Sequence, residues 1–376
     1  MPKTGTSSIQ ESLFFGLKDS RFQYFTGGEI NTARALILLG TESGLPRHFH
    51  GAQGSNSNFL LRERQSLQKR LARSLDEAAR TGRELIVSGE NCWRMSATEL
   101  QRLKSVLESR GAIVQVIAYL RPWKAWLESN FAQRAQLACK FGSRSPFPTT
   151  PELASPVQID YHNRIETFDK VFGRENVVFR KFDPAQFPEG CVTRDFCQRT
   201  GISLSPDQIR RANESFRLSA VRFVCAYGKF ANREATSGRW TTWQHHWLMT
   251  RLLVLPGPTL RFHSSVIEPI LRPLLPDLDR IEERIGSSLR EDWTKSDGEE
   301  CIRTEDDLYQ FSDQSLDWLE SETGARVPRG LPVQESAQRV GDIIHRMRHS
   351  FPGFRTLSQS ARFAAHRAWI RRTRSR

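Results

Sequence analysis

Nothing in these 376 residues reaches the roughly 18 consecutive apolar positions that a membrane-crossing helix needs. The amino terminus carries no apolar leader segment either. Both absences predict a cytoplasmic protein. The six cysteines (Cys92, Cys139, Cys191, Cys197, Cys225 and Cys301) show no C-x-x-C spacing. That argues against a zinc ribbon or a disulfide framework and leaves buried free thiols. Histidines at helical metal spacing are missing too: His48/His50 and His245/His246 are not the i, i+4 pair of a zinc helix, so no metal is expected. Lysine is scarce, ten residues against forty-five arginines, a compositional hint of a GC-rich genome. No internal repeat is found.

What is present is a strongly basic chain, net charge +13, with 38% hydrophobic residues. That is enough for one large domain with appendages. The excess charge is uneven. Residues 331–376 hold ten arginines, no lysine and only Glu335 and Asp342 as acids. Such a tail reads as a solvated helical or disordered arm, or as a contact for an anionic partner. Nucleic acid ranks low among those partners, because no aromatic platform accompanies the charge.

Residues 7–17 read as a helix, with Ile9, Leu13 and Phe14 on one face. A Gly-, Ser- and Asn-rich loop covers 40–58, and an amphipathic helix runs from Ser66 to Thr81. The segment 83–88 is a short strand, and Ser96 with Glu99 forms a capping box for a helix to about Arg110. Ile113–Leu120 is a nearly continuous apolar run, as expected of a strand covered on both faces. A helix opening at Pro122 runs to about Lys140. After a loop over 143–156, a further helix ends at Gly173 and residues 176–180 form a third strand. This alternation predicts a parallel sheet flanked by helices. Beyond residue 190 helices dominate, near 191–201, 217–231, 240–253, 266–288, 305–322, 333–349 and 356–372. Trp240, Trp243 and Trp247 share helical spacing and read as core. The expected organisation is a nucleotide-binding core over 1–205, a helical completion over 206–330 on the acceptor side, and the basic tail over 331–376.

In an open parallel sheet, ligands gather at the carboxyl ends of the strands. Three features fall there. The first is Met1-Pro2-Lys3-Thr4-Gly5-Thr6-Ser7-Ser8, a lysine, a glycine and hydroxyl residues running into a helix. Such a turn offers backbone N–H groups, an ammonium and hydroxyls to a phosphate or sulfate ester. The second is Ser88-Gly89-Glu90-Asn91, directly after a strand. The third is Arg121, with Ser129 eight residues on in the following helix. The loop is not a Walker A motif, since the lysine precedes the glycine and no upstream glycine exists.

The Pro-Lys-Thr-Gly-Thr-Ser-Ser turn instead resembles the 5′-phosphosulfate loop of sulfotransferases that use 3′-phosphoadenylyl sulfate (PAPS), of the bacterial and carbohydrate type. Arg121 with Ser129, after strand Val114–Leu120, resembles that family's 3′-phosphate motif. Leu85–Glu90, Phe172–Arg180 and Asn213-Glu214-Ser215 are similar to further segments of the group, so the resemblance covers residues 2 to about 220. It implies an α/β, P-loop-like three-layer fold with a central parallel sheet and a helical C-terminal half. The sequence departs from the pattern at one place. The apolar strand that feeds the loop in relatives is missing, which points to a truncated or mis-set start.

The resemblance implies in-line, metal-independent transfer of a sulfuryl group from PAPS to a hydroxyl, with a carbohydrate as the favoured acceptor. Lys3 would neutralise charge on the bridging oxygen. Thr4, Gly5, Thr6, Ser7 and Ser8 would hold the 5′-phosphate, and Arg121 and Ser129 the 3′-phosphate. For the general base Glu90 stands first, with His48 or His50 next. Two rival readings remain: a non-catalytic or truncated nucleotide-binding protein of the same fold, which would need Lys3 and Arg121 but no base, and a kinase-like P-loop enzyme, against which the lysine–glycine order argues.

Overall fold

The computed structural model describes residues 1–41, 57–141, 159–212, 215–231, 239–298 and 300–350. It is a mixed α/β protein, predominantly helical, with small parallel sheets. In chain order, the lysine loop leads into α1 (Thr6–Gly16), then β1 (Phe22–Tyr24), α2 (Ala33–Gly40), α3 (Ser57–Thr81), β2 (Glu84–Ile86), α4 (Ala97–Leu107), β3 (Val116–Leu120), α5 (Trp123–Phe141), α6 (Tyr161–Phe172), β4 (Val177–Lys181) and α7 (Val192–Thr200). The second half is α8 (Leu218–Phe230), α9 (Arg239–Leu252), α10 (Ser264–Leu271), α11 (Leu278–Ile285), α12 (Asp313–Thr323) and α13 (Val333–His349). No helix among the described residues is long and apolar enough to cross a membrane.

Local chemistry explains the boundaries. The predicted capping box at α4 is complete: Glu99 N donates to Ser96 Oγ at 3.2 Å, and Ser96 N donates to Glu99 Oε2 at 2.7 Å. Asp160 caps α6, accepting from Asn163 N at 3.2 Å, and α6 stops at Phe172 where Gly173 adopts φ 89°. Two predicted helices are broken. The 266–288 stretch divides into α10 and α11 around a short 3₁₀ turn, Arg272–Asp277, holding Pro273 and Pro276. The 305–322 stretch is a 3₁₀ turn, Asp306–Tyr309, followed by α12. Proline removes the N–H that a continuous helix would need in the first case. Conversely β1 and α2 were not predicted, because three strand residues and a uniformly apolar eight-residue helix carry little periodic signal. The stretch 356–372 and the loop 143–156 lie outside the described residues.

The strands pair in parallel as expected, but among the described residues they form two separate two-stranded sheets rather than one central sheet. β1 pairs with β2, Phe22 opposite Glu84 and Tyr24 opposite Ile86. β3 pairs with β4, Val116 opposite Val177 and Leu120 opposite Lys181. Backbone groups of alternate residues point to opposite edges. Leu120 accepts from Phe182 N on the β4 side, at 2.6 Å, so Tyr119 presents its carbonyl on the far edge. There it accepts from the buried α-ammonium of Met1 at 3.4 Å.

Both strand pairs share their cover. On one face Ile9 and Leu13 of α1 and Val192 and Cys197 of α7 pack against Phe22 of β1 and Tyr119 of β3. On the other, Ala118, Leu120, Val177 and Phe179 enter a large core with α2, α4, α5, α6 and the helical second half. β3 is covered on both faces only toward its carboxyl end, not along the whole apolar run. Ile117 is 37% exposed and its register partner Val178 41% exposed, beyond the reach of α1. α8 is buried almost all round and packs on α13, whose Ala337, Val340, Ile343 and Ile344 are buried. The amino half of the basic tail segment is therefore a core helix. Trp247 of α9 is partly buried against this core.

Candidate functional site

The lysine loop is built by backbone strain and close packing. Lys3 sits at φ 68°, a left-handed conformation uncommon for a side-chain-bearing residue, and Gly5 at φ 73° forms the amino cap of α1. A Cβ on Gly5 would stand 2.6 Å from Val192 Cγ1, so α7 presses on the loop at that point. Only glycine meets both demands. No side chain caps α1, and the N–H groups of its first turn at Thr6 and Ser7 have no bond to described backbone carbonyls. The hydroxyls divide by role. Thr4, buried, donates to the Met1 carbonyl at 2.6 Å. Ser8 accepts from Ala212 N at 3.0 Å, and Ser12 accepts from Arg210 N at 2.8 Å, pinning the 210–212 segment along α1. Thr6 and Ser7 keep hydroxyls without a hydrogen-bond partner among the described residues. Of the side chains expected to hold a phosphate, Thr4 and Ser8 are thus committed to shaping the loop.

Arg121 comes to the same place from the end of β3. Its Nη1 donates to the Lys3 carbonyl at 3.0 Å, and its guanidinium lies over the Phe182 ring, 5.3 Å from the centroid. Its Nε is buried with no hydrogen-bond partner. Neither Lys3 nor Arg121 forms a salt bridge among the described residues. Burial lowers the Lys3 pKa to about 8, with the Arg121 charge adding to the effect and Glu90 opposing it. Burial also pulls the Arg121 pKa down, Glu128 foremost among the charges that oppose it. Two desolvated cations held together with no salt-bridge partner among the described residues form a locally positive site suited to an anionic group.

Glu90 opens a 3₁₀ turn, Glu90–Arg94, with three residues between it and the end of β2. It makes no hydrogen bond or salt bridge among the described residues, yet its charge acts on Lys3 and on the Met1 ammonium. The Met1 amine is lowered to about 6 by burial, against the pull of Glu90 and Cys92. The glutamate turn is tied to α1 by Gln10, buried, which donates to the Ser88 carbonyl at 2.9 Å. Thr32 Oγ1 donates to the same carbonyl. Gly89 passes so close to α2 that a Cβ would meet Leu36 Cδ1 at 2.7 Å.

The structure therefore brings Lys3, Thr4–Ser8, Glu90 and Arg121 together. Ser129 lies half-buried in α5, six residues or about 9 Å of helix beyond Trp123, and makes no hydrogen bond to Arg121. Its neighbour Glu128 is buried and engaged elsewhere, accepting from Arg261 Nη1 at 2.7 Å and Phe262 N at 3.1 Å. His48, His50, Asn213 and Glu214 fall outside the described residues. Sequence reasoning missed Phe182 and Tyr161. Phe182 directly follows β4, so its strand-end position was the available signal. Tyr161, whose hydroxyl bonds the Arg121 carbonyl, stands at a helix start with no motif to mark it.

A scan against known protein families finds no match, and no solved structure matches. Among curated proteins, an uncharacterized protein of Archaeoglobus fulgidus is 28% identical over 120 residues, 32% of this chain and 31% of that protein. The match spans about a third of each, and that relative's name states no activity.

Proposed function

We propose that the chain is a PAPS-dependent sulfotransferase acting on a hydroxyl, with a carbohydrate as the favoured acceptor. One observation carries the reading: Lys3 and Arg121, 118 positions apart, meet at a helix start as two largely buried cations with no salt-bridge partner among the described residues. A nucleotide with anionic groups at both ends of its ribose would give each of the two cations a partner. In this reading the two strand pairs are parts of one central sheet of P-loop type, the lysine loop at its carboxyl edge.

The residues fit the donor on structural grounds. The first-turn N–H groups of α1, with the Thr6 and Ser7 hydroxyls, supply donors to the 5′-phosphate, and the helix dipole favours the negative charge. Arg121, whose Nη1 holds the Lys3 carbonyl, has its Nη2 without a hydrogen bond among the described residues and would offer it to the 3′-phosphate. Bound PAPS supplies a sulfuryl group on a phosphosulfate anhydride. The acceptor hydroxyl gives its proton to a carboxylate, for which Glu90 is the first choice, as its oxygen bonds to sulfur. The bridging S–O bond breaks and its electron pair stays on the 5′-phosphate of adenosine 3′,5′-bisphosphate. Lys3 stabilises that charge as it forms.

The test combines calorimetry with adenosine 3′,5′-bisphosphate and transfer of radiolabelled sulfate from PAPS to a panel of sugar, lipid and small-molecule alcohols. Binding together with transfer is the expected result, with Lys3→Met weakening the binding and abolishing the transfer. Binding without transfer to any acceptor favours the nucleotide-binding module instead. Absence of binding overturns the donor site altogether.

A further inference from the structure

The amino end of α5 is held more firmly than a surface helix start requires. Glu291, from the segment after α11, accepts from Lys124 N at 2.7 Å and Ala125 N at 3.2 Å. Lys124 in turn donates its ammonium to the Trp293 carbonyl at 2.8 Å and to Ser296 Oγ at 2.6 Å. These contacts fix α5 but leave the two residues before it, Arg121 and Pro122, to other anchors. The Pro122 carbonyl receives Trp126 N at 2.9 Å. The Arg121 carbonyl receives the Tyr161 hydroxyl at 2.6 Å.

Tyr161 is 1% exposed. Its ring lies against Trp123, centroids 5.8 Å apart, and edge-on to Trp93, centroids 5.9 Å apart. Trp123 is two residues past Arg121, and its Nε1 donates to the Ile159 carbonyl at 3.1 Å, next to the start of α6. Trp93 belongs to the turn that begins with Glu90. One tyrosine therefore touches both turns that deliver the charged groups, the glutamate turn after β2 and the arginine turn after β3. Burial raises its phenol pKa well above the usual value, so the hydroxyl remains a neutral donor wherever the protein is folded.

We propose that Tyr161 is a positioning residue, which through its hydrogen bond to the Arg121 carbonyl sets the guanidinium where a 3′-phosphate is recognised, and so governs discrimination between 3′-phosphorylated and plain adenine nucleotides. The proposal rests on the donor-site reading above. The Arg121 guanidinium is already turned toward the Lys3 carbonyl and over Phe182. Its remaining freedom lies in the backbone at 121–122, between the end of β3 and the first turn of α5. The tyrosine hydroxyl is the hydrogen-bond donor found on that carbonyl. Removing it leaves the part-buried carbonyl with no donor among the described residues, and the backbone shifts to seek one. The groups for the 5′-phosphate, Lys3 and the first turn of α1, meet Arg121 through the single hydrogen bond at the Lys3 carbonyl, so they are affected less than the guanidinium itself.

The experiment is calorimetry on the full chain with two probes, adenosine 3′,5′-bisphosphate and adenosine 5′-monophosphate. Four proteins are compared: unaltered, Tyr161→Phe, Arg121→Ala, and the double variant. Tyr161→Phe should weaken the bisphosphate about fivefold to tenfold, the scale of one hydrogen bond. The monophosphate should stay within twofold, which also certifies that the fold and the lysine loop survive. In the Arg121→Ala background, Tyr161→Phe should change bisphosphate affinity by less than twofold. Equal weakening of both probes would make the tyrosine merely structural and overturn the proposal. So would an unchanged bisphosphate affinity, or an effect that persists without Arg121. If the unaltered protein binds neither probe, the donor-site reading fails first and this one with it.

Discussion

The Tyr119 hydroxyl of β3 donates to Asp195 Oδ2 of α7 at 2.6 Å, and Arg199 Nε donates to the same oxygen at 2.8 Å. Tyr119 and Asp195 are both buried. The bond fastens α7 to the strand, and α7 is the helix whose Val192 presses on Gly5. A contact outside the charged cluster thus sets the wall behind the lysine loop.

Tyr119→Phe keeps the ring packed against Phe187 and deletes only the hydroxyl. Asp195 keeps Arg199, so the loss should be about 1–2 kcal/mol in urea unfolding. Nucleotide affinity should change less than the stability does. An unfolding midpoint equal to that of the unaltered chain would show that the bond contributes nothing.

Gly5→Ala meets two penalties at once. The left-handed backbone costs an alanine about 1–2 kcal/mol, and the new methyl must displace Val192 Cγ1 from 2.6 Å. A fall in melting temperature should accompany loss of adenosine 3′,5′-bisphosphate binding. Retention of full affinity would place the phosphate away from this loop.

Lys3 gives a pH signature. Its folded pKa, about 8, lies below its unfolded value of 10.5. Between those values the unfolded chain holds more protons, so this residue makes folding more favourable as pH rises through that window and less favourable below it. An anion brought next to the ammonium raises its pKa again. Binding of adenosine 3′,5′-bisphosphate at pH 8.5 should therefore take up protons, and affinity should decline at higher pH. Calorimetry in two buffers of different ionisation enthalpy reads the proton count; zero uptake in Lys3→Met and positive uptake in the unaltered chain is the expected contrast.

Glu90→Gln separates binding from chemistry. Bisphosphate affinity should hold or rise slightly, because a negative charge near Lys3 is removed. Sulfate transfer should fall about 100-fold or more, the usual contribution of a general base. Near-normal turnover would dismiss Glu90 and turn attention to His48 and His50.

The sequence carried the local information well, and for a physical reason. The capping box at Ser96–Glu99, the glycine stop at Gly173 and the turn chemistry at Lys3–Gly5 depend on neighbours a few residues away. The positions of Glu90 and Arg121 were legible because both directly follow apolar strands, and strand ends converge in parallel arrangements. The breaks in α10–α11 and before α12 were less legible, since a proline or a polar turn inside an apolar pattern changes periodicity only weakly.

Residue order alone thus determined which groups could bind an anion: a lysine–glycine turn entering a helix and an arginine leaving a strand. Tertiary structure decided how they act. It bent Lys3 into a left-handed conformation, spent the Thr4 and Ser8 hydroxyls on the scaffold, set Arg121 on the Lys3 carbonyl, and placed Tyr161 behind it. Apart from the local Thr4 bond to Met1, those outcomes depend on contacts between segments 40 to 204 positions apart, and on the burial they create. A linear pattern encodes neither the proximity nor the loss of solvent that shifts a lysine's proton affinity.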